Sequence, residues 1–395
     1  MIVGVVGYRF DYYPYTRNIV DIIQGVKYQK VKDLYAWVNT GAHTINRCAK
    51  KDILSTFDLN NQFYDFNLNK VDLLHFFNGI SYGHTPWVST FETILPRFRS
   101  VVEMPQGSSP AHVRDGKLSR AFEALASDTC KQIIAISGCT ANIQRALLTN
   151  FTIYKENIEN KLIIMHPPQA ALVSQFEDKQ VDLDGRIKFI FVGNMFFRKG
   201  GREVIDTLQK LRDQYHFDIE LTIVSSLSVD GYAVKVDPIA VQQTRALIDE
   251  NKAWINYFPQ LPNSEVLDRM KKSHVGLLPT YADTYGYVVL EFQAAGCPVI
   301  TTNARALPEI NDNDKGWLIE VPRNQLGEAI YATDEDRLAI SNAIRDGLEK
   351  AVHEIFADRS IIAKKASQAI LGIRTNHSKD KFSIQMEKIY RDAIG

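Results

Sequence analysis

Residues 278–301 read LPTYADTYGYVVLEFQAAGCPVIT, and this stretch decides the kind of fold we expect. The pattern predicts a buried strand that ends near Leu278, a loop that carries Asp283, and a helix over about 286–296. Pro298 then opens the next strand. This order is typical of a parallel sheet, so the loop should lie at the carboxyl edge of the sheet, where open α/β sheets bind ligands.

The same alternation of strand and helix extends outward in both directions. It forms two series, which predict two doubly wound, Rossmann-like parallel sheets and therefore an α/β fold. The alternation of strands and helices stops at His166-Pro-Pro-Gln169, so we expect an N-terminal domain over 1–168 and a C-terminal domain over 169–378. A last helix at about 379–395 should pack back on the first domain. A cleft between the domains is the first place to expect a ligand. The predicted strands are 2–6, 34–38, 73–77, 87–91, 133–136 and 162–165, then 187–192, 219–224, 254–258, 275–278 and 298–301.

The composition is that of a soluble globular protein. The chain has 395 residues, 45% of them hydrophobic, with 46 basic and 46 acidic side chains, so charge gives no reason to expect nucleic acid. Its four cysteines lack the spacing of a zinc site or a disulfide framework. No signal peptide or membrane span is predicted. We expect a cytoplasmic protein, with at most a weak peripheral contact at the inner membrane face, because residues 1–165 carry 18 basic and 14 acidic groups.

Glu291 is unusual in the helix that follows the Asp283 loop. Its neighbours three and four residues away are two aromatic or branched residues and two alanines, so it belongs to no polar face. A carboxylate in such surroundings needs a partner, and a ribose diol can donate two hydrogen bonds to it. The alternative for Glu291 is an internal Lys or Arg partner, and the alternative for Asp283 is a solvated or capping role. The free N–H groups of Gly286 and Tyr287 at the helix start would suit a phosphate.

A second segment, residues 189–205, reads FIFVGNMFFRKGGREVI. A strand runs into a loop that carries Arg198 and Lys199 just before a helix. Two cations beside a helix N-terminus do not complement the helix dipole, unless a diphosphate completes the charge balance. The alternative is a solvated basic turn.

Together these segments resemble the donor domain of the retaining glycosyltransferases of family 4, which have the GT-B architecture of two facing Rossmann-like domains. The resemblance covers about residues 188–310 and rests on the two acids, on the Gly between them, and on Gly193 through Lys199 and the following Gly. It implies that Lys199 holds the donor diphosphate, that Glu291 binds the ribose, and that Asp283 contacts the transferred sugar. It also implies that backbone groups near Phe258 to Leu261 hold the base. The full expected donor site is Gly193, Asn194, Arg198, Lys199, Phe258, Leu261, Tyr285, Gly286, Tyr287 and Glu291.

The chain also departs from the family pattern. Family members usually have Glu where this chain has Asp283 and Arg where it has Asn194, and Arg198 is a candidate to supply the missing cation. Glu92 stands where the family often carries a His, and we expect it to position a sugar, with a role as base less favoured. An aromatic loop over 8–15 replaces the paired glycines that usually follow the first strand.

That loop reads YRFDYYPY and offers aromatic faces that suit sugars, so it is a candidate acceptor platform; a packed turn is the alternative. His75 with Asn78, and His84, lie near predicted strand ends, where a structural role is the more common one for a histidine.

These expectations combine into a retaining, metal-independent hexosyltransferase. Its donor would be a UDP- or GDP-linked sugar, it would need no further cofactor, and its acceptor would be a glycan, a lipid-linked group or a protein. Asp312-Asn-Asp314 has the spacing of a cation motif but is expected in a turn. The alternatives are a non-catalytic sugar-nucleotide binder and a GT-B phosphorylase or epimerase. A dehydrogenase is disfavoured because no GxGxxG opens either sheet.

Overall fold

The computed structural model describes residues 1–51, 53, 56–104, 116–179 and 181–395. The chain divides into two compact units. The N-terminal unit comprises Met1–Pro168 with Lys379–Gly395, and the C-terminal unit comprises Gln169–Ser378.

The N-terminal unit is built on a parallel sheet of six described strands with helices between them. The strands run in the order β2-β1-β4-β6-β7-β8, and β3 and β5 form a separate parallel pair. The order changes direction between β1 and β4. The strands of this unit are β1 (Ile2–Val6), β2 (Lys27–Val31), β3 (Gln62–Phe63), β4 (Leu73–Phe77), β5 (Ile80–Ser81), β6 (Trp87–Phe91), β7 (Cys130–Ala135) and β8 (Leu162–Ile164). Its helices within the first 168 residues are α1 (Tyr13–Asn18), α2 (Leu34–Ala49), α3 (Thr56–Leu59), α4 (Arg99–Val102), α5 (Gly116–Ala126), α6 (Gly138–Leu148) and α7 (Thr152–Glu159).

The C-terminal unit has a second sheet of six described parallel strands, in the order β11-β10-β9-β12-β13-β14. Strand β9 lies in the middle of the sheet, β10 and β11 follow on one side of it, and β12, β13 and β14 follow on the other side. The switch point therefore lies between β9 and β12. Its strands are β9 (Ile187–Val192), β10 (Ile219–Val224), β11 (Ile255–Phe258), β12 (Val275–Leu278), β13 (Val299–Thr302) and β14 (Trp317–Ile319). Its helices are α8 (Gly201–Tyr215), α9 (Pro238–Glu250), α10 (Asn263–Lys271), α11 (Tyr287–Ala294), α12 (Leu307–Ile310), α13 (Asp334–Ala357) and α14 (Ser360–Asn376), and the last helix, α15 (Lys379–Ile394), belongs to the N-terminal unit.

One predicted strand is wrong. Residues 34–38 form the first turns of α2, because Asp33 precedes them in an extended conformation and its Oδ1 accepts a hydrogen bond from the Tyr35 amide at 3.0 Å. The second strand of the sheet is instead β2, an edge strand whose sequence, KYQKV, is too polar to show a buried pattern.

The last helix completes the core of the N-terminal unit. Phe382, Met386 and Tyr390 are buried together with residues of the central strands, such as Val3 and Leu73. The described part of the chain contains no helix that is both long enough and apolar enough to cross a membrane.

Candidate functional site

The two segments singled out in the sequence meet at the switch point of the C-terminal sheet. One is the loop between β9 and α8, and the other is the loop between β12 and α11, and these two strands are paired in register, with Leu277 opposite Phe191. Loops that follow neighbouring parallel strands emerge at the same edge of the sheet, and at a switch point their helices diverge and leave a crevice. The topology therefore brings Lys199 and Asp283 together.

Glycines shape the first loop. Gly200 has a φ of 78° and precedes α8, and a Cβ there would lie 2.1 Å from the Pro279 carbonyl oxygen. A Cβ on Gly193 would lie 2.5 Å from the Cδ of Lys199. Any larger residue at these two positions would displace the β12 loop or the lysine side chain, so the glycines let the two loops and Lys199 approach closely.

Asp283 accepts hydrogen bonds from two donors of this site. Its Oδ2 accepts a hydrogen bond from Lys199 Nζ at 3.0 Å, and its Oδ1 accepts one from the Gly286 amide at 3.1 Å. The side chains of Lys199 and Asp283 are only 17% and 16% exposed. Burial acts to raise the pKa of Asp283, but the charge and hydrogen bond of Lys199, the charge of Arg198 and the Gly286 amide outweigh it and lower the pKa below its ordinary value. A negative charge is thus stabilised where a lysine and a helix N-terminus converge.

Arg198 is held by groups of the protein. Its Nε donates to Asp230 Oδ2 at 2.5 Å, its Nη1 donates to the Ala282 carbonyl at 2.6 Å, and its guanidinium lies 5.9 Å from the centre of the Tyr232 ring. The backbone of Arg198 also accepts the Tyr281 amide at 2.9 Å. Arg198 therefore fixes the loop before Asp283 against the loop after β10.

Glu291 lies on a partly exposed side of its helix, contrary to the enclosed position we expected. Helix α11 buries its middle residues and leaves Tyr287 and Glu291, one turn apart, at intermediate exposure. The two side chains therefore share one face of the helix. Tyr285 is almost fully buried, and its ring centre lies 5.1 Å from that of Tyr287. The apolar neighbours of Glu291 on the helical wheel do not reveal that this face is only partly buried, which is why the sequence suggests a buried carboxylate.

The remaining expected donor-site residues lie at the same edge of the sheet. Asn194 is exposed, and its carbonyl accepts hydrogen bonds from the amides of Phe196 and Ser228 at 2.9 and 3.1 Å. Phe258 ends β11, and Arg269 places its guanidinium 3.9 Å from the centre of the Phe258 ring. Leu261 follows in the loop that leads to α10, which begins at Asn263.

A second concave site lies at the switch point of the N-terminal sheet. A cavity of about 480 Å³ opens between the loops that follow β1, β4 and β6. The aromatic loop contributes Tyr8, Arg9 and Tyr12 to its wall, so the structure brings this loop together with Glu92. Tyr15 takes the packing role, because it is buried and its hydroxyl accepts the Phe77 amide at 3.1 Å.

Glu92 is held in place by two partners that also line this cavity. Arg97 Nη1 lies 3.0 Å from Glu92 Oε1, and Asn78 Nδ2 donates to the same oxygen at 3.2 Å. The Glu92 amide donates back to Asn78 Oδ1 at 3.0 Å. Arg97 and Asp230 are site residues that sequence reasoning missed, since neither stands in a recognisable motif. Asn78 has a φ of 63° just after β4, a conformation that its Asn-Gly sequence favours.

His75 and His84, the two histidines singled out in the sequence, lie outside the cavity wall. His75 is buried within β4, where Nδ1 and Nε2 lie 2.6 Å from the Tyr390 hydroxyl and 2.9 Å from Thr90 Oγ1, so its role is structural. His84 is exposed and precedes β6, at the opposite edge of the sheet.

Asp312 belongs to a turn, where it accepts the amides of Asp314 and Lys315 at 3.0 Å. Within the described ranges, no group of three or more His, Cys, Asp or Glu side chains is arranged to hold a metal ion.

Residues 173–344 match the family described as Glycosyl transferases group 1. The chain is 23% identical over 192 residues to a glycogen synthase of Mycobacterium tuberculosis, and the match covers 48% of this chain and 44% of that protein. The chain therefore matches less than half of the length of this curated relative. These similarities support the predicted glycosyltransferase superfamily.

Two solved structures extend the comparison to the whole fold. One is a glycosyltransferase from Rickettsia africae ESF-5, with a TM-score of 0.56 and 16% identity, covering 100% of this chain and 98% of that one. The other is the pneumococcal O-GlcNAc transferase GtfA in complex with UDP and GlcNAc, with a TM-score of 0.56 and 11% identity, covering 91% of this chain and 60% of that one. At such identities the likeness concerns the fold. The predicted fold class, GT-B with two Rossmann-like parallel-sheet domains, is confirmed.

Proposed function

We propose that the chain is a retaining glycosyltransferase of family 4, which moves a hexose from a nucleoside-diphosphate sugar to a hydroxyl acceptor. The observation that carries the proposal is the convergence of Lys199 Nζ and the Gly286 amide on one carboxylate, at 3.0 and 3.1 Å. Two donors arranged in this way at a switch point suit the oxygens of a diphosphate. The match of residues 173–344 to Glycosyl transferases group 1 supports the same reading.

The donor would be held by the loops at this edge. Lys199 and the start of α11 would bind the diphosphate, and Glu291, on the partly exposed face that it shares with Tyr287, would accept the ribose hydroxyls. The base would lie near Phe258 and Leu261. The complex of the similar protein GtfA with UDP makes UDP-sugars the first donors to test.

The proposed transfer depends on stabilising the negative charge that develops on the leaving diphosphate. The bond between the anomeric carbon and the diphosphate oxygen breaks, and its electron pair leaves with the diphosphate, whose growing charge Lys199 and the helix start stabilise. The acceptor oxygen bonds to the anomeric carbon on the same face, and its proton passes to the departing diphosphate oxygen. Asp283 would contact the transferred sugar. In the N-terminal unit, Glu92, held by Arg97 and Asn78, would position a sugar against the aromatic loop.

A panel of UDP- and GDP-sugars tests this function. We expect one donor to bind, to hydrolyse slowly without acceptor and to release a sugar of retained anomeric configuration, as read by proton NMR. Glu291→Ala should weaken binding of that donor on the order of tenfold, by the loss of charged hydrogen bonds to the diol. Unchanged affinity in Glu291→Ala, or an inverted product, would contradict the proposal.

Metal independence is part of the proposal, and transfer should persist in excess chelator. Activity that returns only with added magnesium or manganese would refute this part.

A second candidate is a sugar-nucleotide binder without activity. The shorter acid Asp283, tied to Lys199, and the exposed Asn194 in place of Arg favour it. Donor affinity with no hydrolysis and no transfer to any acceptor would select this alternative.

A further inference from the structure

Helix α2 turns its polar side inward. Its buried residues are Asn39, Ala42 and Asn46. Asn39 Nδ2 donates to Asn60 Oδ1 at 2.6 Å, and Asn46 Oδ1 accepts the Ile53 amide at 3.0 Å, so both side chains are hydrogen-bonded within the fold. A surface helix of a globular protein ordinarily buries its apolar stripe, so α2 is inverted.

The exposed side of α2 carries an apolar stripe. Trp37, Val38 and Ile45 are 66%, 45% and 51% exposed, and Gly41 and Cys48, also exposed, lie between and beyond them. At 3.6 residues per turn these five positions fall within an arc of about 100°. We call this set the α2 stripe. An apolar stripe of this width is what a helix normally presents to a core or to a partner.

The charged residues of α2 and of the two positions after it are all basic. Residues 34–51 contain Arg47, Lys50 and Lys51 and no Asp or Glu, and the three basic residues are exposed at the end of the helix where the chain turns at Lys50. An apolar stripe with a tryptophan and a cluster of cations beside it matches the interface of an anionic bilayer, where indole rings lie at headgroup depth and Lys and Arg meet the lipid charge.

We propose that the α2 stripe docks this protein on an anionic membrane surface, with α2 lying in the plane of the interface. A second copy of the chain that packs with its α2 parallel is a poorer occupant, because this two-fold contact would bring two sets of Arg47, Lys50 and Lys51 towards each other. Asn39 and His43 of the same helix line the cavity next to Glu92. Positions 39 and 43 lie on the side of α2 opposite the stripe, so, if the proposed function holds, α2 would separate the cavity from the membrane that carries a lipid-linked acceptor.

The tryptophans give a direct readout. Trp37 is exposed, whereas the other three tryptophans of the sequence, Trp87, Trp254 and Trp317, are buried. We expect vesicles of phosphatidylcholine with phosphatidylglycerol to shift the tryptophan emission to the blue, and brominated lipid in the same vesicles to quench it. Both signals should disappear in Trp37→Phe. Pure phosphatidylcholine vesicles should bind at least tenfold more weakly, by the loss of the lipid charge.

Variants separate the two parts of the surface. Ile45→Ser should weaken vesicle binding on the order of tenfold. The double change Lys50→Gln with Lys51→Gln should weaken it about fivefold per lysine and reduce its salt dependence, since Arg47 remains. Ile153→Ser is the matched control, because Ile153 is an exposed isoleucine of α7 in the same unit, and it should bind like the wild type.

Three results would overturn the docking proposal. They are equal binding to anionic and neutral vesicles, no binding to either, and a concentration-dependent dimer that Ile45→Ser dissociates. None of these measurements includes a nucleotide, so a failure of the docking proposal is distinct from a failure of the proposed function. Circular dichroism of each variant checks that α2 remains folded.

Discussion

Lys199 and Asp283 form an ion pair in which the carboxylate takes the place that an anionic ligand would need. The pair has one bond at 3.0 Å and low exposure on both sides, so the carboxylate weakens the pull of Lys199 on any added negative charge. A binding anion must therefore share or displace Asp283.

Asp283→Asn should act in opposite directions on binding and on transfer. Without the carboxylate, Lys199 is free to bind phosphate, so the affinity for a nucleoside diphosphate should rise several-fold. Transfer should fall at least tenfold, because the proposed contact with the sugar loses its charge. Calorimetry and a transfer assay measure the two effects. Asp334→Asn, which breaks the exposed pair with Lys235, is the control and should change neither quantity. Weaker diphosphate binding in Asp283→Asn would contradict this view of the pair.

His75 makes the stability of the N-terminal unit depend on pH. Burial lowers the pKa of His75 to about 3 from an ordinary value of 6.5. Between these two pH values His75 is therefore protonated in the unfolded chain and neutral in the folded unit. His75 therefore does not reduce the free energy of unfolding above pH 6.5. As the pH drops from 6.5 towards 3, this residue reduces the free energy of unfolding by roughly 1.4 kcal/mol per pH unit. Urea unfolding between pH 7 and pH 4 measures the slope. His75→Gln should start from lower stability and show a shallower slope, and an unchanged slope would rule out this role.

The loops between strand and helix depend on glycine at two kinds of position. Gly200 and Gly231 both have a positive φ, of 78° and 62°, but only Gly200 has a neighbour that would touch an added Cβ. The two residues therefore separate the cost of backbone conformation from the cost of a clash.

Gly231→Ala should cost about 1 kcal/mol, from the left-handed conformation alone. Gly200→Ala should cost roughly 3 kcal/mol or more, because its Cβ meets the Pro279 carbonyl at 2.1 Å and the β12 loop must shift. Thermal unfolding measures both changes. Gly200→Ala should also weaken nucleoside diphosphate binding, since the same loop carries Asp283 and Gly286. Equal costs for the two variants would show that the close approach of the loops does not matter.

Strands that are covered on both faces could be predicted to the residue from the sequence. Strands β9, β10 and β12 have the bounds we expected, and they are mostly apolar, with Lys188 near the start of β9 and Glu220 and Thr222 in β10. The polar sequence of the edge strand β2 hides it, and the start of α2 resembles a strand because most of its residues are aromatic or branched. Asp33, a good capping residue, was the signal that favoured a helix there.

The sequence predicts only those parts of the site that follow from the order of the strands in the sheet. Lys199 and Asp283 follow neighbouring strands of a parallel sheet, so topology alone brings them together. The partners Asp230 and Arg97 come from loops of no regular pattern, and their contacts depend on packing that no local rule describes. Glu291 shows the same limit, because the sequence gives the composition of its helix face but not what covers it.

The last helix joins distant parts of the chain into one core. Helix α15 packs against the sheet of the N-terminal unit, and His75 of β4 meets Tyr390 over 315 positions of sequence. The stability of the first 168 residues therefore depends on residues that the chain supplies last.

Met386→Ala should destabilise the N-terminal unit by about 2–5 kcal/mol, because Met386 is fully buried and its removal leaves a cavity. Ile384→Ser changes an exposed residue of the same helix and should stay within about 0.5 kcal/mol of the wild type. Chemical denaturation measures both. A loss confined to a transition that the C-terminal unit does not share would support the division into units, and equal behaviour of the two variants would contradict the packing of this helix.

The central claim is that Lys199 and the Gly286 amide form a diphosphate site, and the contribution of the second phosphate to binding tests it most directly. Calorimetry would compare the nucleoside monophosphate with the diphosphate of the preferred base, in the wild type, in Lys199→Ala and in Lys210→Ala, whose lysine pairs with Glu349 on an exposed surface. We expect the diphosphate to bind at least tenfold more tightly than the monophosphate in the wild type and in Lys210→Ala. In Lys199→Ala this preference should fall to near unity, while the monophosphate affinity stays the same. A diphosphate preference that survives Lys199→Ala would contradict the claim.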